Sequence, residues 1–522
     1  MTFHGQEGKS LLAKNSFFNL LGQILPMLVG VVTIPYIIRG LGVNGYGILS
    51  IAFMVLGYFS IFDLGLSRAT VKFVAQNLSA DRIHKVPELV WTSLGLLVGL
   101  GCVGGGLAAA FVPLALTHFL KMPVSFVAEA RMSLFVLCAS MPVMLGNDAL
   151  RGVLEATQRF DLVNYVKVPG SICFYLFAAL AIPLGVHVSG IVLILVLVRL
   201  LTAFAYLTLC FRALPNLRAN FRFSRAAIRP LSSFGGWIML SNITAPIGGN
   251  IERFLIASGL SVGILTYYSV PFDLVGKIAI FPASIAPALF PYFSYHGEGT
   301  GNEVKDVTSR SIKYLLLVMT PVTAVFVSFA KDILQLWVGP QFAAQSTVVM
   351  QLVAILFFFN CFAYIPFTSV QALGRPELKA ILDLIALPIY AVGCWWLMRR
   401  MGLNGAALAK LLVTILDCSV LYFFAWRMKA FHVRDLVSGP LFRALAASAG
   451  LFAAVYLIHS LGVNLILSGM LLTVCFAAYA GAFWVLAVDQ EDRGTLMGFW
   501  RKSLLLLRGR QANVAPLAEV GD

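Results

Sequence analysis

Long apolar segments recur from one end of this chain to the other, and they constrain its fold more than any other feature. Windows of apolar residues between turn and charge signals predict fourteen helices, each near the ~20 residues that cross a bilayer. The chain has 522 residues, of which 59% are hydrophobic and 12% charged, whereas soluble domains carry about 25% charged residues. A water-soluble fold is therefore excluded, and we expect an all-α, polytopic membrane protein.

The predicted helices form two sets of six and a final pair. The first set covers about 16–38, 47–66, 89–112, 132–150, 168–186 and 188–211, and the second about 231–258, 264–291, 314–330, 345–370, 380–398 and 402–426. The final pair covers about 444–461 and 463–488. We therefore expect an N-terminal six-helix lobe at 1–230, a C-terminal six-helix lobe at 231–435, two additional transmembrane helices at 436–490 and a cytoplasmic tail at 491–522.

The two sets of six are predicted to be copies of one unit. An offset of 216 residues superposes their helices and loops, and it aligns Gly47-Ile48-Leu49 with Gly263-Ile264-Leu265 and the pair Arg159 and Asp161 with Arg375 and Glu377. An even number of helices in each copy gives both copies the same orientation. The lobes are then related by a pseudo-two-fold axis along the membrane normal.

The basic residues predict the orientation of the chain. Of its 38 Lys and Arg residues, 28 lie in the two tails and in the connectors after even-numbered helices, and six lie in the connectors after odd-numbered ones. Because cytoplasmic loops collect Lys and Arg, both termini are predicted to be cytoplasmic. The net charge of +15 then needs no nucleic acid, since cytoplasmic basic clusters contact anionic lipid headgroups.

Charged residues within the spans are the main functional candidates, because each costs ~2.5–3.5 kcal/mol at a helix centre and persists where it is paired or faces an aqueous cavity. Arg199, Asp273, Lys277, Lys410 and Asp417 lie nearest mid-depth. Asp273 and Lys277 are four residues apart and share a helix face. They form either an internal ion pair or a site in which Lys277 meets an anionic group while Asp273 tunes it or carries a coupling proton.

Polar residues in the first helix of each set are further candidates. Arg39 and the pair Glu252 and Arg253 lie at corresponding outer ends, where they either reach the interface or face a cavity. Asn15, Asn19 and Gln23 form one polar stripe, and Asn242 and Asn250 form another. Such stripes serve either helix–helix hydrogen bonding or sugar contact. The predicted substrate-binding set is Arg39, Arg199, Arg253, Lys277, Lys410, Asn15, Asn19, Gln23, Asn242 and Asn250, and the predicted ion-coupling set is Glu252, Asp273 and Asp417.

No cofactor, metal site or catalytic group is predicted. Gly8-Lys9-Ser10 resembles the end of a phosphate-binding loop, but Phe3 occupies the position of its first glycine. The histidines are scattered, and the eight cysteines lie in apolar stretches without a CxxC pair. Gly95, Gly99, Gly101 and Gly105 in the third helix have the small-residue spacing that lets membrane helices pack closely.

Several short segments resemble bacterial polysaccharide repeat-unit flippases, which belong to the same superfamily as the MATE exporters. These segments begin at Ile34 (IPYIIRGLG), Gly45 (GYGIL), Phe62 (FDLGLSR), Ile251 (IERFL) and Val262 (VGILTYYS). The resemblance implies two six-helix lobes with two extra helices. It also implies transport of an oligosaccharide on undecaprenyl diphosphate from the inner to the outer leaflet of the cytoplasmic (inner) membrane, for O-antigen or exopolysaccharide synthesis, with membrane lipids and other polysaccharide assembly proteins as partners.

Three alternatives stay open at this point. Flippases of the peptidoglycan lipid precursor share the fourteen-helix plan but typically place arginines inside the first two helices, whereas no basic residue lies between Lys14 and Arg39. Cation-coupled exporters of the same superfamily usually have twelve helices and an acidic residue deep in the first. A membrane glycan polymerase or ligase is the alternative from another class, although such enzymes typically carry a large outward loop and the longest one predicted here runs from about 113 to 131.

Overall fold

The computed structural model describes residues 7–79, 82–219, 221–225, 236–283, 302–373, 377–428 and 439–486, together with residues 228, 231, 289, 293 and 375. Side chains are described outside 7–22, 219, 236–242, 245, 302–306 and 465. The predicted cytoplasmic tail at 491–522 lies outside the described residues. Within these ranges the regular structure is helical, which confirms the predicted all-α class.

Sixteen helices, labelled here in chain order, carry the described part of the fold. They are α1 Glu7–Tyr58, α2 Leu66–Ser79, α3 Val86–Leu114, α4 Val124–Ala156, α5 Phe160–Ala181, α6 Val188–Ala213, α7 Asn216–Ala219, α8 Gly236–Gly259, α9 Val262–Gly276, α10 Asn302–Ser328, α11 Ala330–Trp337, α12 Pro340–Ala372, α13 Glu377–Met401, α14 Leu403–Arg427, α15 Gly439–Ser460 and α16 Leu465–Leu486. Short 3₁₀ or π turns lie at Phe59–Asp63, Ile83–Lys85, Ala115–Phe119 and Lys277–Ala279.

Twelve segments of the described residues are long and apolar enough to cross a membrane. The first of them, Gln23–Asp63, contains most of both of the first two predicted helices. These helices run together in α1 and are separated by a break at Gly42, whose φ of 69° and ψ of 172° lie outside the helical region. The polytopic membrane class is therefore confirmed, while the count of fourteen helices stays a prediction.

The glycines of α3 bring it close to α4, as their spacing predicts. A Cβ on Gly101 would lie 2.5 Å from the Cα of Pro142, and one on Gly105 would overlap the carbonyl oxygen of Cys138. Gly99 differs, because a Cβ there would meet no atom within 4 Å. The close approach of α3 and α4 therefore depends on two of the four glycines, and this contact helps to hold α4 in position.

The chain divides into two compact units, Met1–Ile280 with Ala330–Phe357 and Arg375–Asp417, and Phe281–Phe329 with Phe358–Gly374 and Cys418–Asp522. The second unit packs α10 against α15 and α16. Within it, Tyr479 donates a hydrogen bond to the carbonyl oxygen of Leu316 at 3.1 Å and lies 3.1 Å from the hydroxyl of Ser448. The candidate sites described below lie in the first unit. The predicted lobe boundaries stay a prediction.

The segments aligned by the offset of 216 residues take the same local structure at the starts of α5 and α13. Arg159 Nε lies 3.0 Å from Asp161 Oδ1, and Arg375 Nε lies 2.8 Å from Glu377 Oε1. Each pair joins an arginine one or two residues before a helix to an acidic residue in its first turn, where a carboxylate favours helix initiation. Arg159 lies outside the membrane spans, and its hydrogen bond to Asp161 raises the pKa of Arg159. Equal structure at these two positions is what an internal repeat requires.

Candidate functional site

A polar cavity of about 340 Å³ lies between α4, α5 and α6. Three cations and one carboxylate line it, namely Arg151, Lys167, Arg199 and Asp148. Its other lining residues are Asn147, Gly170, Ser171, Phe174, Tyr175, Val198, Thr202 and Tyr206. Because charges within membrane helices persist mainly where they are paired or reach water, a cavity with an excess of cations is a candidate site for an anion.

Arg151 is held on α4 by two carboxylates of its own helix. Its guanidinium lies 3.4 Å from Asp148 Oδ1 and 3.3 Å from Glu155 Oε1, three and four residues away. At these spacings the side chains share one helix face. Among the described residues, neither Lys167 nor Arg199 has a carboxylate within 4.0 Å. Arg151 with its two carboxylates carries one net negative charge, so Lys167 and Arg199 leave the site with one positive charge in excess.

Aromatic and amide groups complete the wall around Arg199. Its guanidinium lies 6.0 Å from the centroid of the Phe174 ring, at the outer limit of a cation–π contact. Asn147 Nδ2 lies 3.4 Å from the hydroxyl of Thr202, while Asn147 Oδ1 is buried without a hydrogen-bond partner. A buried acceptor of this kind is satisfied by a donor on a ligand or by water.

The end of the cavity at Tyr206 rests on a packed apolar core. Tyr206 is 4% exposed and donates a hydrogen bond to the carbonyl oxygen of Val163 at 3.2 Å. One turn further along α6, Cys210 Sγ donates to the carbonyl oxygen of Leu150 at 3.3 Å. These two contacts tie α6 to α5 and to α4, and a rigid scaffold keeps polar groups of a site in position.

A second cluster surrounds Glu252, which is fully buried on α8. Its carboxylate accepts hydrogen bonds from Tyr390 at 2.7 Å, from Lys410 Nζ at 3.2 Å and from Tyr268 at 3.3 Å. Lys410 Nζ also donates to the carbonyl oxygen of Gly248 at 2.7 Å. Four helices therefore meet at one carboxylate, and the charge that Lys410 brings balances the charge of Glu252.

Arg253, the neighbour of Glu252, binds the predicted coupling residue Asp273. Arg253 Nη2 lies 2.6 Å from Asp273 Oδ1, and its guanidinium lies 5.0 Å from the centroid of the Phe272 ring. Lys277, one turn after Asp273, is exposed in the 3₁₀ turn that follows α9. Asp273 thus pairs with a cation from α8 rather than with its neighbour on the same face.

Asp417 belongs to a third cluster, formed with Lys379 and Asp383. Lys379 Nζ lies 2.5 Å from Asp383 Oδ1 and 3.0 Å from Asp417 Oδ1. Two carboxylates thus share one ammonium group, so the cluster carries an excess of negative charge. Its charge is opposite in sign to that of the cavity between α4, α5 and α6.

The other predicted site residues are dispersed. Arg39 is exposed three residues before the break at Gly42, and Gln23 is exposed near the start of the described side chains. Asn250 donates to the carbonyl oxygen of Pro246 within α8 at 3.0 Å. The side chains of Asn15, Asn19 and Asn242 lie outside the described ones. In the described ranges, no three His, Cys, Asp or Glu side chains are grouped as metal ligands are.

Residues 12–296 match the family described as polysaccharide biosynthesis protein. The chain belongs to this family. The matched segment contains most of α1 and all of α2 to α9, and therefore all of the residues that line the cavity.

Two relatives match most of the length of this chain. It is 28% identical over 421 residues to the "Putative O-antigen transporter" of Shigella flexneri, in an alignment covering 80% of this chain and 98% of the relative. It is 22% identical over 419 residues to the "Probable flippase AglR" of Haloferax volcanii, covering 77% of this chain and 80% of the relative. These names describe a transporter and a flippase.

Solved structures of the MOP superfamily share the fold of this family member. The lipid II flippase MurJ, in an inward closed conformation, matches with a TM-score of 0.68 and 12% identity over 90% of this chain and 99% of its own. A multidrug resistance MATE transporter in an inward-facing conformation matches with a TM-score of 0.65 and 15% identity, covering 80% and 98%. At these identities the likeness establishes the fold alone.

The sequence pattern identified Arg199 as a candidate but did not reveal Arg151 and Lys167. The predicted fourth helix ended at 150 and the predicted fifth helix began at 168. Arg151 and Lys167 were therefore assigned to the connector between them. In the structure α4 continues to Ala156 and α5 begins at Phe160, which places Arg151 and Lys167 inside helices. The signal was the spacing of Asp148, Arg151 and Glu155, which is typical of one helical face.

Proposed function

We propose that the protein moves a lipid-linked oligosaccharide, carried on undecaprenyl diphosphate, from the inner to the outer leaflet of the bacterial cytoplasmic membrane. In this proposal both termini are cytoplasmic, and the product feeds the synthesis of O-antigen or exopolysaccharide. Membership of the polysaccharide biosynthesis protein family and the names of the relatives support transport of this kind. The observation that carries the proposal is the polar cavity, which holds three cations within a membrane-embedded helix bundle of a family member.

The main physical obstacle to this transport is the passage of the polar headgroup across the hydrocarbon core. Moving a diphosphate and a row of sugar hydroxyls from water into hydrocarbon costs many kcal/mol when these groups are left unpaired. A cavity with fixed cations replaces part of their hydration. The polyprenyl tail can stay in the lipid while the headgroup passes along the protein, and the helices rearrange around the site as alternating access requires.

In the same proposal, the buried ion-pair clusters couple the rearrangement of the helices to the binding of a proton or cation. Glu252, Asp273 and Asp417 each bind a cation in the state described here. A proton or cation that displaced one of these partners would change the contacts between helices. Asp273→Asn and Asp417→Asn are each expected to change the pH dependence of transport. An unchanged pH profile would exclude a coupling role for these two residues.

The proposal is tested by deleting the gene and labelling lipid-linked glycan in spheroplasts with an impermeant oxidant. We expect single oligosaccharide units to accumulate on undecaprenyl diphosphate and to stay protected from the oxidant, and we expect a plasmid copy of the wild type to reverse both effects. Exposure of single units at the wild-type rate, without longer chains, would favour the glycan polymerase instead. Accumulation of the peptidoglycan precursor would favour the alternative flippase.

A further inference from the structure

We propose that the cavity between α4, α5 and α6 is an anion-binding subsite, in which Lys167 and Arg199 bind a phosphate or carboxylate group that the cargo carries next to a sugar ring. The identity of the cargo rests on the function proposed above, whereas the binding of an anion does not. Lys167 is new to this role.

The charge balance of the cavity defines the class of ligand. Arg151 is committed to Asp148 and Glu155, at 3.4 and 3.3 Å, and this trio carries one net negative charge. Lys167 and Arg199 face the same cavity, and no carboxylate in the described part of the chain lies within 4.0 Å of either. Both cations attract an anion that enters this cavity, and the attraction is stronger in a space of reduced dielectric than in water. A guanidinium also binds two oxygens of one phosphate or carboxylate group.

The neutral lining residues indicate a sugar ring beside the anion. Phe174 and Tyr175 contribute aromatic rings, and Ser171 and Thr202 contribute hydroxyl groups. Asn147 Oδ1 is a buried acceptor without a partner, which a ligand hydroxyl would satisfy. The combination of free cations, ring faces and an unused acceptor is suited to a sugar phosphate or a uronic acid.

The size of the cavity limits what enters it. Its volume of about 340 Å³ is near the lower end of the roughly 300–1,000 Å³ that small-molecule sites occupy. Along α5 the lining residues run from Lys167 to Tyr175, a rise of about 12 Å at 1.5 Å per residue. The cavity therefore takes one part of a headgroup, and the rest of a longer glycan would lie outside it.

The test measures binding of inorganic pyrophosphate and of methyl glucuronide to the full chain in nanodiscs of uncharged lipid, with methyl glucoside as the uncharged reference. We expect at least one of the two anions to bind, and Arg199→Gln and Lys167→Gln each to weaken that binding at least tenfold. Arg199→Lys keeps the charge and is expected to weaken it less. Binding of pyrophosphate alone would identify the diphosphate linker, and binding of glucuronide alone would identify an acidic sugar.

Arg212→Gln is the matched control, because Arg212 is exposed in the last turn of the same helix and does not line the cavity. Ser171→Trp fills the cavity without changing its charge and is expected to abolish binding. The proposal is overturned when neither anion binds, or when binding to Arg199→Gln and Lys167→Gln equals binding to Arg212→Gln.

The two proposals fail separately. Anion binding that depends on Arg199, in a protein whose deletion leaves the lipid-linked pool unchanged, would keep the subsite and remove the flippase function. Protected accumulation of single units after deletion, together with no anion binding to the purified protein, would keep the flippase function and remove the subsite.

Discussion

Lys121 and Trp337 lie 216 residues apart, and each donates a hydrogen bond to a main-chain carbonyl group of the other half of the chain. Lys121 Nζ lies 2.8 Å from the oxygen of Gly259, and Trp337 Nε1 lies 2.7 Å from the oxygen of Val31. Both donors lie in connectors that follow odd-numbered predicted helices, and the distribution of basic residues predicts that these connectors are on the outer side. The two bonds therefore join the halves through donors that the predicted repeat relates, although their acceptors are not related by the same offset.

Removing these two bonds is expected to loosen the connection. Trp337→Phe and Lys121→Met each remove one donor, and a net contribution of about 0.5–1.5 kcal/mol for a hydrogen bond sets the expected loss of stability. Thermal unfolding of the purified protein measures it. Trp396→Phe is the control, since Trp396 is 53% exposed. A loss as small as that of the control would show that the bonds do not stabilise this state.

The contact between α1 and α9 requires glycine at position 47. A Cβ on Gly47 would overlap the carbonyl oxygen of Val262, whereas a Cβ on Gly106 in α3 would meet no atom within 4 Å. We expect Gly47→Ala to lower stability by about 1–3 kcal/mol, as overpacking does. Gly106→Ala should leave stability unchanged or raise it, because alanine is the better helix former. Unfolding temperatures of the two variants, measured side by side, check this, and equal values would contradict it.

The sequence predicted the helices better than it predicted the partners of their charges. Lengths of apolar segments reveal spans, because lipid requires about 20 apolar residues whatever the fold. Spacing along one helix suggested a pair between Asp273 and Lys277, yet Asp273 binds Arg253 of α8. Contacts between helices depend on how each helix is rotated, which hydropathy does not encode. The clusters at Glu252 and Lys379 were hidden for the same reason, since their members lie on different helices.

The pair formed by Glu252 and Lys410 is expected to behave as a unit. Removing one member leaves a buried charge unpaired, so Glu252→Gln and Lys410→Met should each lower stability by roughly 3–5 kcal/mol. The double variant should lose less than the sum of the two single losses, because it leaves no unpaired charge. A double-mutant cycle of unfolding free energies measures the coupling. Additive losses would show that the two charges do not interact.

Variants of Arg253 and Lys277 should distinguish a loss of stability from a loss of glycan export. Arg253 is 7% exposed and paired with Asp273, so Arg253→Met is expected to lower both stability and export. Lys277 is exposed beyond α9, and Lys277→Ala is expected to impair export of glycan while leaving the unfolding temperature unchanged. Arg427→Ala, which removes an exposed cation from the last turn of α14, is the control for charge alone. Surface glycan and membrane protein are quantified together, and normal export by Lys277→Ala would exclude a contact between this cation and the cargo.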